Sequence, residues 1–173
     1  LAPAKDVDGI TRGSLATVFA GSGEGYAPCT AAACMEILGH YGIGCAGKRA
    51  AVIGRSLVVG RPVAMMLMQE NATPVICHTR TNDAAAITRQ ADIVIVAAGC
   101  METIGPEYFS AGQVVIDVGI GWNEEKGKLC GDVRFDEVEP LVGSITPVPG
   151  GVGAVTTSVL MKHVVQAAAA RLD

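Results

Sequence analysis

Apolar positions in this chain fall into short unbroken runs, separated by segments with helical spacing. Arg49-Ala50-Ala51-Val52-Ile53 follows Lys48 and stops at Gly54. Val75-Ile76-Cys77, Ile93 to Ala98, Val114 to Val118 and Ser144-Ile145-Thr146 repeat the pattern. Runs of this length, rich in Val and Ile and with no polar alternation, predict strands buried on both faces. Between them the period changes. Thr30 to Tyr41 sets Ala33, Ile37, Leu38 and Tyr41 on one helical face, with Thr30 as the expected N-cap. Pro62 to Glu70 predicts a helix with Pro62 in its first turn. Asp83 to Gln90, capped by Asn82 or Asp83, predicts a short helix, and Val155 to Leu172 a final long one. Residues 1–28 read as a short strand-like start and a Gly-rich connector, Gly21 to Gly25. Lys126-Gly127-Lys128 predicts a hairpin turn.

Buried strands alternating with helices imply a parallel sheet covered on both sides. The loop between the first strand and its helix is Gly54-Arg55-Ser56-Leu57-Val58-Val59-Gly60-Arg61-Pro62. A Gly at a strand end allows a sharp turn, and a second Gly lets a pyrophosphate approach the helix start, where N–H groups and the helix dipole favour anions. The glycines are six apart, unlike G-x-G-x-x-G, so the same residues also suit a purely structural turn. The expected architecture is α/β, a Rossmann-like mostly parallel sheet with helices on both faces. In such a sheet an NAD-selective site ends its second strand with an acid for the ribose 2′-hydroxyl. Here that strand ends Cys77-His78-Thr79-Arg80-Thr81. Thr79 can donate to a phosphate, and Arg55 or Arg80 can neutralise one, which favours NADP over NAD. A third stretch, Thr146-Pro147-Val148-Pro149-Gly150-Gly151-Val152-Gly153, joins a strand to the last helix with more special backbone residues than a plain connector needs.

Composition narrows the field. Of 173 residues, 50% are hydrophobic and 17% charged, enough for a packed core and too apolar for a disordered chain. The net charge of -4 and the lack of a basic run argue against nucleic acid and a membrane surface. No apolar run reaches membrane-helix length, and no secretory signal is visible. The six cysteines form no C-x-x-C and read as buried free thiols in a reducing, cytoplasmic compartment. His78 reads as a packed or edge histidine, His40 and His163 lie in helices without ligand spacing, and no metal is expected. The chain starts at Leu1 rather than Met, as a processed or trimmed chain would.

In order along the chain, Lys5-Asp6-Val7-Asp8-Gly9, Pro28-Cys29-Thr30, Gly54-Arg55-Ser56 through Gly60-Arg61-Pro62, Cys77 to Thr81, Ile116-Asp117-Val118-Gly119-Ile120, Gly131-Asp132-Val133 and Ile145 to Gly153 resemble the bifunctional methylenetetrahydrofolate dehydrogenase and methenyltetrahydrofolate cyclohydrolase family. The resemblance implies hydride transfer from methylenetetrahydrofolate to NADP, then hydrolysis of the methenyl bridge to 10-formyltetrahydrofolate. It implies cofactor contacts at Gly54, Arg55, Ser56, Val59, Thr79, Gly99, Gly119, Ile120 and Thr156. It implies substrate contacts at Asp8, with the pterin, and at Pro149, Gly150 and Gly151. It implies that residues 1–28 end a catalytic domain and connect it to a cofactor domain over 29–173. The family's catalytic lysine, four residues after a tyrosine, has no counterpart here, so the chain alone is expected to be inactive. An apolar surface including Ile37 or the last helix near Val164 would then be uncovered. Ala31, Cys100-Met101, Gly121 and Ala154 depart from the family's usual residues around the folate and nicotinamide. The family's habit also implies a homodimer, here through a hairpin tipped by Trp122 and Leu129. Two other readings stand beside this one. The first is a non-catalytic dimerising nucleotide-binding module. The second is another nicotinamide oxidoreductase, of the methylene-tetrahydromethanopterin or shikimate type, which the Pro-Val-Pro-Gly-Gly-Val-Gly loop argues against.

Overall fold

A computed structural model describes residues 1–170. Strands β1 (Arg49–Ile53), β2 (Thr73–Cys77), β3 (Ile93–Val96), β4 (Val114–Asp117) and β7 (Ser144–Ile145) form one sheet in the order β2-β1-β3-β4-β7. Every pairing in it is parallel. Strands β5 (Gly121–Asn123) and β6 (Lys128–Cys130) make a separate antiparallel hairpin, with Trp122 opposite Leu129. The helices are α1 (Arg12–Ala20), α2 (Cys29–His40), α3 (Gly60–Gln69), α4 (Ala84–Thr88), α5 (Phe135–Val138) and α6 (Val152–Ala169).

The period-2 geometry of the strands sends alternate side chains to two cores. Ala50, Val52, Ile93, Ile95 and Ile116 meet α2, α3 and α6 through Cys34, Leu38, Val63, Leu67 and Val159. Ala51, Ile53, Val94, Val96 and Val115 meet Ala91, Phe109, Val133 and Val138 on the other face. This two-sided burial is why the strands read as continuous apolar runs, and the expected α/β sheet with helices on both faces is what the chain forms.

Several expectations need correction. Residues 1–28 hold no strand: Pro3–Lys5 is a 3-10 turn, followed by α1. That helix is anchored by Asp6, whose carboxylate accepts from Thr11 N at 2.7 Å, Ile10 N at 3.3 Å and the Ser14 hydroxyl at 2.7 Å. Burial alone would raise the Asp6 pKa, but these bonds outweigh it and hold the group at about 2. Thr11 caps α1, and Gly21 ends it at a left-handed φ of 70°. Pro28, not Thr30, stands at the N-cap of α2, and Thr30 lies inside the helix. Asp83 caps α4, accepting from Ala86 N at 3.1 Å. The last helix starts three residues earlier than expected, at Val152, and Leu172, its expected end, lies outside the described residues. Ile37 is only 8% exposed and belongs to the core, whereas Val164 does face outward at 44%. Five cysteines are buried, but Cys100 is exposed.

Candidate functional site

Loops leave the carboxyl ends of β1, β2, β3 and β4, the side on which open α/β sheets bind ligands; the first two lead to α3 and α4, the third to a 3-10 turn at Pro106–Tyr108, and the fourth to the β5–β6 hairpin. The β1 loop is the tightest. Gly54 has φ 122°, and a Cβ there would press on the backbone of Ala97, with its carbonyl carbon at 2.9 Å. A Cβ on Gly60 would fall against Gly54, with the carbonyl carbon at 2.6 Å and Arg55 N at 2.9 Å. The second glycine therefore allows close packing of the turn on itself. Ser56 organises the helix start: its Oγ accepts from Val59 N at 3.1 Å and Gly60 N at 3.4 Å, and its carbonyl accepts from Arg61 N at 3.1 Å. These first N–H groups of α3 are therefore occupied. The backbone N–H groups of Arg55, Ser56, Leu57 and Val58 have no partner among the described residues, so the unoccupied donors here lie in the loop and not at the helix terminus. The Ser56 hydroxyl keeps its own proton free to donate outward.

Strands β1 and β2 end in register, Ile53 opposite Cys77, so the Arg55 and Thr79 loops emerge side by side, about 4.8 Å apart at the strands. Arg55, Thr79 and Arg80 are exposed, and among the described residues neither arginine joins an ion pair. His78 is spent on the turn: its N–H donates to Thr81 Oγ1 at 2.9 Å, and its Nδ1 accepts from Arg80 N at 3.1 Å. Cations without protein partners beside free N–H groups suit a phosphate.

Two residues with no assigned role in the sequence organise the β3 and β4 loops. Asp117, 2% exposed, accepts from Gly119 N at 2.9 Å, Asp132 N at 3.1 Å and Val133 N at 3.0 Å. Burial pushes its pKa up to about 6, against the pull of those three bonds and with a further push from Asp132. Asp132 in turn accepts from Gly99 N at 2.7 Å. The only sequence signal for Asp117 was an acid closing an apolar run. Gly99, at φ 71°, has open space on its Cβ side, and Ile120 is 62% exposed. Thr156 sits one turn into α6 with its hydroxyl donating to Val152 O at 2.9 Å.

The loop after β7 borders a cavity of about 450 Å³ lined by Glu36, Ile37, His40 and Tyr41 of α2 together with Thr146, Pro147, Gly150, Gly151 and Val155. The Val148–Pro149 peptide is cis, and Gly150 is open on its Cβ side at φ 94°. Gly151 packs on the carbonyl of Pro147. The cavity contains none of Gly54 to Val59 or Thr79, so the free N–H groups and unpaired arginines lie apart from it.

Asp8 is not brought to this loop. His163, buried three turns along α6, bonds through Nδ1 to Val7 O at 2.8 Å, packs tilted against Tyr26 with centroids 4.7 Å apart and lies 3.6 Å from Cys29 Sγ. Cys29 N donates to Asp8 O at 3.2 Å. The Val7–Asp8 peptide and Gly151 thus stand at opposite ends of a helical stretch about 16 Å long. The Cys29 thiol is raised to about 11 by burial and by the nearby Asp8 and Asp6 charges, so it stays protonated and unreactive. No group of three or more metal-ligating side chains occurs among the described residues. No helix among them is long and apolar enough to cross a membrane.

The family described as tetrahydrofolate dehydrogenase/cyclohydrolase, NAD(P)-binding domain, matches residues 28–172. The bifunctional protein FolD of Carboxydothermus hydrogenoformans is 55% identical over 164 residues, covering 94% of this chain and 57% of the relative. The crystal structure of the bifunctional FolD dehydrogenase/cyclohydrolase from Campylobacter jejuni superposes with a TM-score of 0.94 at 43% identity, over 98% of this chain and 60% of that one. The Trypanosoma brucei enzyme, complexed with NADP cofactor and inhibitor, gives 0.87 at 38% identity, over 96% of this chain and 59% of that one. The chain therefore spans under two thirds of the length of these relatives. By the match over residues 28–172, it belongs to the tetrahydrofolate dehydrogenase/cyclohydrolase family, of which it carries the NAD(P)-binding domain.

Proposed function

We propose that the chain binds NADP and supplies the cofactor half of a methylenetetrahydrofolate dehydrogenase and methenyltetrahydrofolate cyclohydrolase. The observation that carries this reading is the pair Arg55 and Thr79. Both are exposed at adjacent strand ends, with no carboxylate on the second strand to bind a ribose 2′-hydroxyl. The NADP 2′-phosphate falls to Arg55 and Thr79, and the pyrophosphate to the free N–H groups of Arg55 to Val58 and the Ser56 hydroxyl; Val59, whose N–H is held by Ser56 Oγ, borders the cofactor without donating to it. The nicotinamide half lies over Gly99, Gly119 and Ile120, towards Thr156. NADP, when bound, takes the hydride from the methylene bridge of the folate; hydrolysis of the methenyl bridge follows. Asp8 holds the pterin, and the Pro149-Gly150-Gly151 loop borders the folate cleft. The separation of these two along α6 suits an extended ligand.

Residues 1–28 would be the end of a catalytic domain with its connector, and 29–173 the cofactor domain. Proton transfer is assigned to a group outside this chain. Of the five lysines, Lys48 pairs with Asp92 at 3.9 Å, Lys162 with Glu36 at 2.7 Å, and Lys126 with Glu102. Tetrahydrofolate one-carbon derivatives are the expected substrates. A homodimer through the β5–β6 hairpin and a cytoplasmic setting complete the reading. Trp122, 59% exposed at that hairpin, supports the dimer.

The test is titration calorimetry with NADP and NAD, followed by an assay of NADPH formation from methylenetetrahydrofolate. Tighter binding of NADP by about tenfold or more, the value of one charge-assisted contact, is expected. Turnover is expected from the intact protein and not from these 173 residues alone, because loss of substrate positioning costs ~7–11 kcal/mol of barrier. Equal affinity for the two cofactors would overturn the phosphate assignment, and turnover by the chain alone would overturn the division of labour.

A further inference from the structure

Asp117 and Asp132 form a bracket behind one half of the cofactor site. Gly99 follows β3, Gly119 follows β4, and Asp132-Val133 follows the β5–β6 hairpin. All three backbones are tied to these two carboxylates by the bonds at 2.7–3.1 Å described above. The packing leaves no slack. A Cβ on Gly119 would strike the Asp132 side chain, and one on Gly131 would lie 2.6 Å from Asp117 Cγ. Asp117 is also tied to the β7 loop, its N–H donating to Thr146 Oγ1 at 2.9 Å. None of these bonds involves Arg55, Ser56, Val59 or Thr79.

In a dinucleotide-binding sheet the first βα turn takes the pyrophosphate and the end of the second strand takes the adenosine ribose. The other mononucleotide must then lie over the ends of β3 and β4, where this bracket sits. We propose that Asp117 and Asp132 are positioning residues for the nicotinamide-ribose half of the cofactor. They fix the Gly99 and Gly119–Ile120 backbones while leaving the grip on the adenosine half untouched. The inference rests on the reading that the chain binds NADP. Carboxylates suit the role because they only accept hydrogen bonds, and three N–H donors converge on Asp117.

The chemistry predicts a graded series. Asp117→Asn keeps the shape but turns an NH2 towards at least one of three N–H groups that need an acceptor. Asp132→Asn can still offer its amide oxygen to Gly99 N–H, whereas Asp132→Ala cannot.

The experiment is calorimetry on the intact protein carrying this chain, titrated with NADP and with adenosine 2′,5′-bisphosphate, which is the adenosine half with its phosphate. D117N and D132A should weaken NADP about tenfold or more and leave adenosine 2′,5′-bisphosphate within about twofold. D132N should stay close to the parent for both ligands. Equal weakening of both ligands in D117N and D132A would overturn the proposal, as would unchanged NADP affinity in both, or a D132N as impaired as D132A. Failure of the parent protein to bind either ligand would overturn the cofactor reading itself, and the parent titration alone identifies that case.

Discussion

Replacing Gly60 by Ala tests whether the β1 turn is as tightly closed as it looks. The new Cβ would sit 2.6 Å from the Gly54 carbonyl carbon and 2.9 Å from Arg55 N, against an optimum near 3.5–4.0 Å between carbons. The partner is backbone held by β1, which hydrogen-bonds Gly54 N to Cys77 O at 2.8 Å and Ala97 N to Ile53 O at 2.7 Å. No side-chain rotation relieves the overlap, so α3 must move away by about 1 Å. Overpacking of this kind costs about 1–3 kcal/mol, and the rigid partner puts Gly60 in the upper half of that range. A helical Gly-to-Ala change elsewhere gains up to ~1 kcal/mol. The net expectation is a loss of about 2 kcal/mol, a fall of roughly 4–8 °C in Tm for a domain of this size. Gly39→Ala is the control: it lies in α2 with nothing within 4 Å of its Cβ position, and it should gain about 0.5–1 kcal/mol. Denaturant melts and calorimetric NADP titrations of both variants give the comparison. G60A should be destabilised with weaker NADP binding, because the Arg55 backbone moves with the turn. A G60A protein as stable as its parent with unchanged NADP affinity would refute the close-packing account.

Arg55→Ala should leave stability within about 0.5 kcal/mol, since the side chain is exposed and joins no ion pair among the described residues. It should weaken NADP about tenfold to a hundredfold by calorimetry with little change in NAD; equal losses would reassign it to the pyrophosphate. Asp6, depressed from 3.8 to about 2, lends up to about 2 kcal/mol of stability. For a lowered carboxyl pKa that contribution is fully present above pH about 4 and is lost as pH falls through about 2. Acid denaturation of Asp6→Asn should therefore begin from lower stability and lack this component of the acid limb. Trp122→Asp should shift a dimer to monomer in light scattering; a parent protein that is already monomeric at micromolar concentration would exclude the hairpin interface.

The strands were legible because the parallel sheet buries both faces: the runs at 49–53, 93–96 and 114–117 needed no partner information to be read. Beta-branched residues dominate β3 and β4, and Gly54 and Asp117 mark where two strands stop. Helix α1 was missed because its apolar residues mark no single buried face, with only Ser14 and Val18 buried, Gly13 interrupts its first turn, and its anchor is the more distant Asp6. Thr30 looked like a cap because it is the first good capping side chain, yet backbone geometry begins the helix one residue earlier, after Pro28. At the site, Arg55 and Thr79 could be read from local sequence, since each follows its strand directly. The Asp117–Asp132 bracket could not, because it joins residues 15 apart through a hairpin whose return path no local pattern specifies. The free N–H groups at Arg55 to Val58 were likewise hidden, since sequence pattern places phosphates at the helix start and gives no sign that Ser56 has already occupied it.

The contact between His163 and Val7 also bears on how the chain could be rewired. It brings the first segment alongside the last helix, with Leu1 six residues before Val7 and Ala170 seven residues after His163. A Gly/Ser linker of about ten residues reaches ~33 Å when extended, enough to join those ends. New ends could then be opened between Gly42 and Gly44, an exposed turn where a Cβ would meet nothing at either glycine. Such a circular permutant would begin at β1, so that the five parallel strands and all their loops came first, and α1 and α2 would be added last as a lid over a finished sheet. The order of synthesis would change while every contact described above remained available.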